Sequence, residues 1–331
     1  MLFDLRPKER LAELFDRRSE YEELSRLVRS GEWVAVLGRR MTGKTSLVKT
    51  FVKETGGLYV NLMGIRGLAG LAQALRQSLG AELRDLELDL VALRVRWAKT
   101  VENIFSRIGG RVVVFDEVQE MASPNFLRLL KSLRDTYSGL RLVFTGSYVG
   151  VLRRMLEPDE GSPLYGRQPA RIELKPFSRD LSREFLLRGF AEHRMVPREG
   201  ELDEALESLD GYPGWLTYYG NFRCVRRMSH EEALEATLRE AVKIVLEELD
   251  HFLLRRRREL YARTLRMLRH GARWSELRDE LGVNEKVLRD ILSSLEGAGL
   301  IAREGGLYVV ADPIVRKAAA RLRPRGGKSA P

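Results

Sequence analysis

Cysteine is nearly absent from this 331-residue chain: Cys224 stands alone, which excludes an internal disulfide and any zinc site built on several cysteines. Histidine is scarce as well, at four residues, so a metal centre made of imidazoles is not expected. No apolar run approaches the roughly 20 residues that a membrane helix requires. The opening Met1-Leu2-Phe3-Asp4 lacks the basic-then-apolar order of a signal peptide, so the expected location is the cytoplasm. Amides are few, 4 Gln and 5 Asn beside 46 Arg, a balance found in thermophile proteins and also produced by GC-rich coding. Low-complexity segments and internal repeats are missing too.

What remains is a globular composition, 44% hydrophobic and 31% charged, long enough for two or three domains. The net charge of +10 is unevenly placed. Residues 255–331 carry 18 basic and 9 acidic side chains, whereas the first 254 residues carry 39 and 38. The basic excess therefore belongs to a C-terminal module, and it points to a polyanionic partner for that module.

Along the chain, short apolar runs at Trp33–Leu37, Leu58–Leu62, Val112–Phe115, Leu142–Phe144 and Arg171–Leu174 alternate with amphipathic stretches, the pattern of an α/β domain around a parallel sheet. Leu47, Val48, Phe51 and Val52 make a helical stripe after the first strand, and Gly56-Gly57 ends it. From Ser178 to about Leu254 only helical periodicity is visible, through Phe185, Leu186, Leu202, Leu206 and Leu209. Helices are then expected at Leu260–Leu268, Trp274–Leu281 and, capped by Asn284, up to Gly297. A hairpin follows, Leu300–Arg303 and Leu307–Val310 about the turn Glu304-Gly305-Gly306. Three helices and a hairpin resemble a winged helix-turn-helix. The expected domains are a core at 1–177, a helical lid at 178–254, a winged helix at 255–320 and a flexible basic tail at 321–331.

Gly38-Arg39-Arg40-Met41-Thr42-Gly43-Lys44-Thr45, followed by Ser46, fits the P-loop pattern in full, with a hydrophobic strand before it and an amphipathic helix after it. Such a loop turns backbone N–H groups onto phosphate oxygens at a helix N-terminus, where the dipole favours negative charge. Lys44 is expected on the β and γ phosphates of ATP, and Thr45 on Mg²⁺. Val112-Val113-Val114-Phe115-Asp116-Glu117 then delivers two carboxylates from the C-terminal end of a buried strand. Asp116 is expected to hold Mg²⁺ through water, and Glu117 to act as general base for the attacking water. Arg39 and Arg40 either contact phosphate or are solvated loop charges.

A strand-helix unit separates the two motifs, and a further strand ends in Phe144-Thr145-Gly146-Ser147. That order resembles the additional-strand, catalytic-glutamate P-loop ATPases, in which the later strand lies between the two motif strands. The resemblance implies a γ-phosphate sensor at Thr145 or Ser147, between which the sequence does not choose. Phe15-Asp16-Arg17-Arg18-Ser19-Glu20 looks like the family's motif near the adenine, which implies nucleotide contact by Arg18. Ser162-Pro163-Leu164-Tyr165-Gly166-Arg167 with Leu174-Lys175-Pro176-Phe177, and Gly211-Tyr212-Pro213, are similar to further signatures. Together they resemble an archaeal-type ATPase of the AAA+/STAND group over about residues 10–320. By that resemblance Arg167 would stabilise transition-state charge, in its own or a neighbouring subunit, and Pro213 would touch nucleotide from the lid.

In the expected recognition helix, Val287, Leu288, Ile291, Leu292 and Leu295 form the apolar stripe. Lys286 and Arg289 lie opposite, interrupted by Glu285 and Asp290. With Arg255–Arg258 and the tail residues Arg321, Arg323 and Arg325, they are candidates for DNA phosphates; a protein partner or self-association is the alternative. The reading is an ATP-hydrolysing switch that positions this module. Its rivals are a replication-initiator-like loader on DNA and a binding module that holds nucleotide with little turnover.

Overall fold

The computed structural model describes residues 1–79, 97–121, 124–146, 151–254, 256–310 and 312–322. Ser147, Arg255, Arg323 and Arg325, named above as candidates, lie outside the described residues. The chain divides into two units, residues 6–175 and residues 1–5 with 176–331.

In the first unit, all five strands expected from the apolar runs form one parallel sheet: β1 (Val34–Leu37), β2 (Leu58–Asn61), β3 (Val112–Asp116), β4 (Arg141–Thr145) and β5 (Ala170–Glu173). Their order is β2-β3-β4-β1-β5, so β4 lies between the strand before the P-loop and the strand ending in Asp116. Strand alternation divides the core in two. Val34, Val36, Val112, Val114, Val143 and Ile172 face one cluster with α1 (Arg18–Arg29) and α2 (Lys44–Thr55). Trp33, Ala35, Val113, Phe115, Leu142 and Phe144 face the other, covered by α3 (Gly67–Leu79), α4 (Trp97–Ile108) and α5 (Pro124–Thr136). β1 and β3 are buried on both faces, which is why they read as unbroken apolar runs. A short α6 (Val151–Leu156) precedes β5. Helix α2 ends at Gly56, whose φ of 63° is the left-handed conformation that a glycine C-cap supplies.

The second unit contains α7 (Arg179–Glu192), α8 (Glu201–Leu209), α9 (Pro213–Gly220), a π-helical turn at Asn221–Val225 and the long α10 (His230–Leu253), capped by a reciprocal Ser229–Glu232 box. Phe3 belongs here: its ring lies against Gly189 and Gly220, where any Cβ would collide with it, and it stacks on His193. Next come α11 (Arg258–Met267), α12 (Trp274–Leu281) and α13 (Glu285–Gly297), with Asn284 accepting from the Val287 N–H at 2.9 Å. The hairpin is β6 (Ala302–Glu304) and β7 (Leu307–Val309), to which Ala272 adds a single bridge at Tyr308.

The basic tail needs a correction at its start. Arg321 is the last residue of α14 (Pro313–Arg321), a helix the sequence reading passed over. Asp312 accepts from Ile314 and Val315 N–H at its N-terminus, and Ile314, Val315, Ala318 and Ala319 are buried. The Asp-Pro start is a helix signal in its own right. Val287 is also less central than its place in the stripe suggested: it is half-buried, while Leu288, Ile291, Leu292 and Leu295 form the core.

Candidate active site

The P-loop runs from the end of β1 into the first turn of α2, and its backbone turns through left-handed conformations at Met41 (φ 67°) and Gly43 (φ 99°). Gly38 has no room for a side chain, because a Cβ would come within 2.8 Å of the Leu174 carbonyl and the Thr42 hydroxyl. Met41 bears strain that a glycine would not, of order 1 kcal/mol. Lys44 is buried, and its ammonium donates to the carbonyls of Gly38 at 2.7 Å and Arg39 at 2.8 Å. Thr42 Oγ1 donates to the Arg39 carbonyl at 2.7 Å, while Ser46 Oγ accepts from the Lys8 N–H at 3.1 Å. Arg40 is exposed and Arg39 half-buried.

Asp116 is where the elements converge. Only 2% of it is exposed, and its two oxygens take four donors. Thr45 Oγ1 and the Tyr59 hydroxyl donate to Oδ2 at 3.0 and 2.6 Å. The Thr145 hydroxyl and, at 3.1 Å, the Glu117 N–H donate to Oδ1. Burial, with the Asp116 charge beside it, pushes the Tyr59 pKa well above the ordinary tyrosine value, so the phenol is a dedicated donor. Glu117 sits in the left-handed region (φ 59°), a strained position for a non-glycine residue, and one of its oxygens accepts from the Gln119 amide.

Four of the sequence candidates therefore meet: Thr45 and Thr145 on Asp116, with Glu117 next to it. Tyr59 and Gln119 were not singled out beforehand. Tyr59 is a β2 residue whose neighbour β3 is fixed only by the sheet order. Arg18 points away, 80% exposed and paired with Glu22, whereas its neighbour Arg17 is buried. Arg17 donates to the Lys175 carbonyl at 2.7 Å and to that of Thr42, inside the P-loop, at 3.4 Å. Arg167 lies outside this cluster, its guanidinium 3.0 Å from Asp135 of α5. Pro213 fills the first turn of α9 in the other unit.

Lys286 and Arg289 are exposed on α13, and Arg321 is exposed at the end of α14. Of the expected basic cluster at the start of the C-terminal module, Arg256 lies over the Phe252 ring and Arg258 pairs with Asp250 at 2.5 Å, so both serve local structure. No group of three or more His, Cys, Asp or Glu among the described residues is placed to hold a metal. No described helix is long and apolar enough to cross a membrane.

A parallel sheet with β4 inserted between the P-loop strand and the Asp116 strand defines a P-loop ATPase. Residues 14–219 match the family described as the ATPase domain predominantly from Archaea, and the chain belongs to that family. Among solved structures it is similar to the Walker-type ATPase PABY2304 of Pyrococcus abyssi, with 31% identity, a TM-score of 0.81 and coverage of 97% of this chain and 100% of that one. It shares its fold with Cdc6p from Pyrobaculum aerophilum, at 14% identity, 97% coverage of each chain and a TM-score of 0.53. The same holds for the ORC2 protein of Aeropyrum pernix, at 17% identity, 97% coverage of each and a TM-score of 0.50. No curated protein matches.

Proposed function

We propose that this ATPase is a Mg²⁺-dependent cytoplasmic switch of the AAA+/STAND kind, whose nucleotide state controls a C-terminal winged helix. The observation that carries the reading is the set of oxygen donors at the end of the sheet. The Thr45 hydroxyl and the Asp116 carboxylate are 3.0 Å apart, both hard ligands of the type Mg²⁺ prefers. When bound there, Mg²⁺ neutralises charge on the β and γ phosphates. Lys44 would leave the Gly38 and Arg39 carbonyls for those phosphates, which the α2 N-terminus also favours. Glu117 would take the proton of the water whose oxygen attacks the γ-phosphorus as the bond to ADP breaks. Of the two sensor candidates, Thr145 lies among the described residues, and its hydroxyl donates to Asp116. Arg167 would have to exchange Asp135 for the transition state to stabilise it.

The test separates binding from chemistry. Glu117→Gln is expected to retain ATP and stop hydrolysis, and Lys44→Ala to lose ATP. Near-normal turnover in the first variant would assign the base elsewhere; undiminished ATP affinity in the second would remove Lys44 from the phosphates.

A second reading, DNA contact by the winged helix, is favoured by the +9 balance of residues 255–331. Binding should weaken steeply with salt, as each neutralised phosphate releases about one counterion. Lys286→Ala with Arg289→Ala should reduce it. Absence of binding at low salt would give the module to a protein partner.

A further inference from the structure

Four donors orient Asp116, and three of them come from segments with another claim to their position. Thr45 opens the helix after the P-loop, Thr145 ends the inserted strand, and the Glu117 N–H is the next peptide of the chain. Tyr59 has no such reason to be there. It stands on β2 in register with Val114, and Val112 and Val114 share its face of the sheet against the α2 cluster. Asp116 is the next residue along that face, diagonal to Tyr59, a separation that long aromatic side chains span. The para-hydroxyl covers it and stops 2.6 Å from Oδ2, the oxygen that Thr45 also contacts.

We infer that Tyr59 is a positioning residue of the ATPase site, whose hydroxyl fixes the Asp116 carboxylate with Oδ2 toward the divalent cation. The inference rests on the reading of Asp116 and Thr45 as the cation's holders. Its physical content lies in the kind of donor used. A neutral hydroxyl holds the carboxylate plane while leaving the negative charge intact, whereas Lys or Arg at position 59 would hold it equally well and oppose a second cation. Outer partners of this type commonly change metal affinity by about 10- to 100-fold when removed.

Tyr59→Phe deletes the hydroxyl and keeps the ring, beside which the Lys49 ammonium sits 5.1 Å from the centroid. The experiment is equilibrium binding of a fluorescent ATP analogue to the full chain, in excess Mg²⁺ and in excess chelator. It is run on the parent protein, Tyr59→Phe and Asp116→Asn. The quantity read is the ratio of the two affinities, the gain that Mg²⁺ confers. Tyr59→Phe is expected to cut that gain about tenfold, at the low end of the outer-partner range, with affinity in chelator unchanged. Asp116→Asn is expected to remove most of it. An unchanged ratio in Tyr59→Phe beside a collapsed one in Asp116→Asn would overturn the inference and leave the cation reading standing. Equal losses in Mg²⁺ and chelator would overturn it as well, by making Tyr59 merely structural. An unchanged ratio in Asp116→Asn would overturn the cation reading itself.

Discussion

Asp116 in one unit and Glu201 in the other are both buried carboxylates, and they are treated in opposite ways. Asp116 is 2% exposed and Glu201, in the first turn of α8, is 3% exposed. Each accepts from a tyrosine whose pKa desolvation and the carboxylate push upward, the half-buried Tyr59 in one case and the buried Tyr219 in the other. Glu201 also has a cation: Arg223 donates to its Oε1 at 2.6 Å, and the Arg198 N–H reaches its Oε2 at 2.7 Å. Burial pushes the Glu201 carboxyl up, but those donors and the Tyr219 hydroxyl outweigh it, so its pKa lies below the ordinary glutamate value. Asp116 has four donors and, among the described residues, no ion pair. A buried charge that is oriented but left without a cation is costly in the empty protein and is the arrangement expected where a cation must arrive. A buried charge already neutralised belongs to the architecture.

The largest expected effect lies on the architectural side. Arg223→Met strands Glu201 and should cost about 3 kcal/mol of unfolding free energy in denaturant melts, as the loss of one partner of a buried pair does. ATP affinity at temperatures where the protein stays folded should not change, and a comparable loss of ATP affinity would dissolve the contrast. Next comes Asp116→Asn, with hydrolysis reduced by about 100-fold or more and stability within ~1 kcal/mol of the parent, because no ion pair is broken.

Acid sharpens the comparison further. The Glu201 pKa is depressed by folding, so its contribution is complete above the ordinary value of 4.5 and fades as pH falls through the folded value. Melting curves should show stability declining below about pH 4.5, with a shallower decline in Glu201→Gln. Tyr219→Phe is the counterpart of Tyr59→Phe: it should cost about 1 kcal/mol of stability and leave the Mg²⁺ gain untouched. The smallest effect is a rate. Burial pushes the Cys224 thiol up to about 11 against the opposing charge of Arg223, so alkylation near pH 8 should be slow in the parent and slower still in folded Arg223→Met, read by mass spectrometry.

Much of the ATPase unit was legible beforehand because its signals are local. The P-loop carries its own turn chemistry in Gly38 and Gly43, and β1 and β3 are continuous apolar runs because both faces are covered. Thr45, Asp116 and Glu117 followed from residue type and place at strand or helix ends. The Asn284 cap marked the start of α13 in the same way. Helix α14 was missed although Asp312-Pro313 announced it, since a run rich in alanine and arginine offers little periodicity.

Other features required the tertiary structure. Arg17 and Arg18 are adjacent and chemically identical; one is buried against the Thr42 and Lys175 carbonyls and the other faces solvent, a choice made by how α1 packs. Tyr59 and Asp116 are 57 residues apart, and nothing within either segment pairs β2 with β3 at a register that sets Tyr59 beside Val114. The amino-acid sequence by itself named the candidates for binding phosphate, holding a cation and accepting a proton, because those capacities reside in residue types and short spacings. Only the tertiary structure decided that Asp116 is held by hydroxyls and Glu201 by a guanidinium, because partners distant along the chain are chosen by sheet order and helix packing.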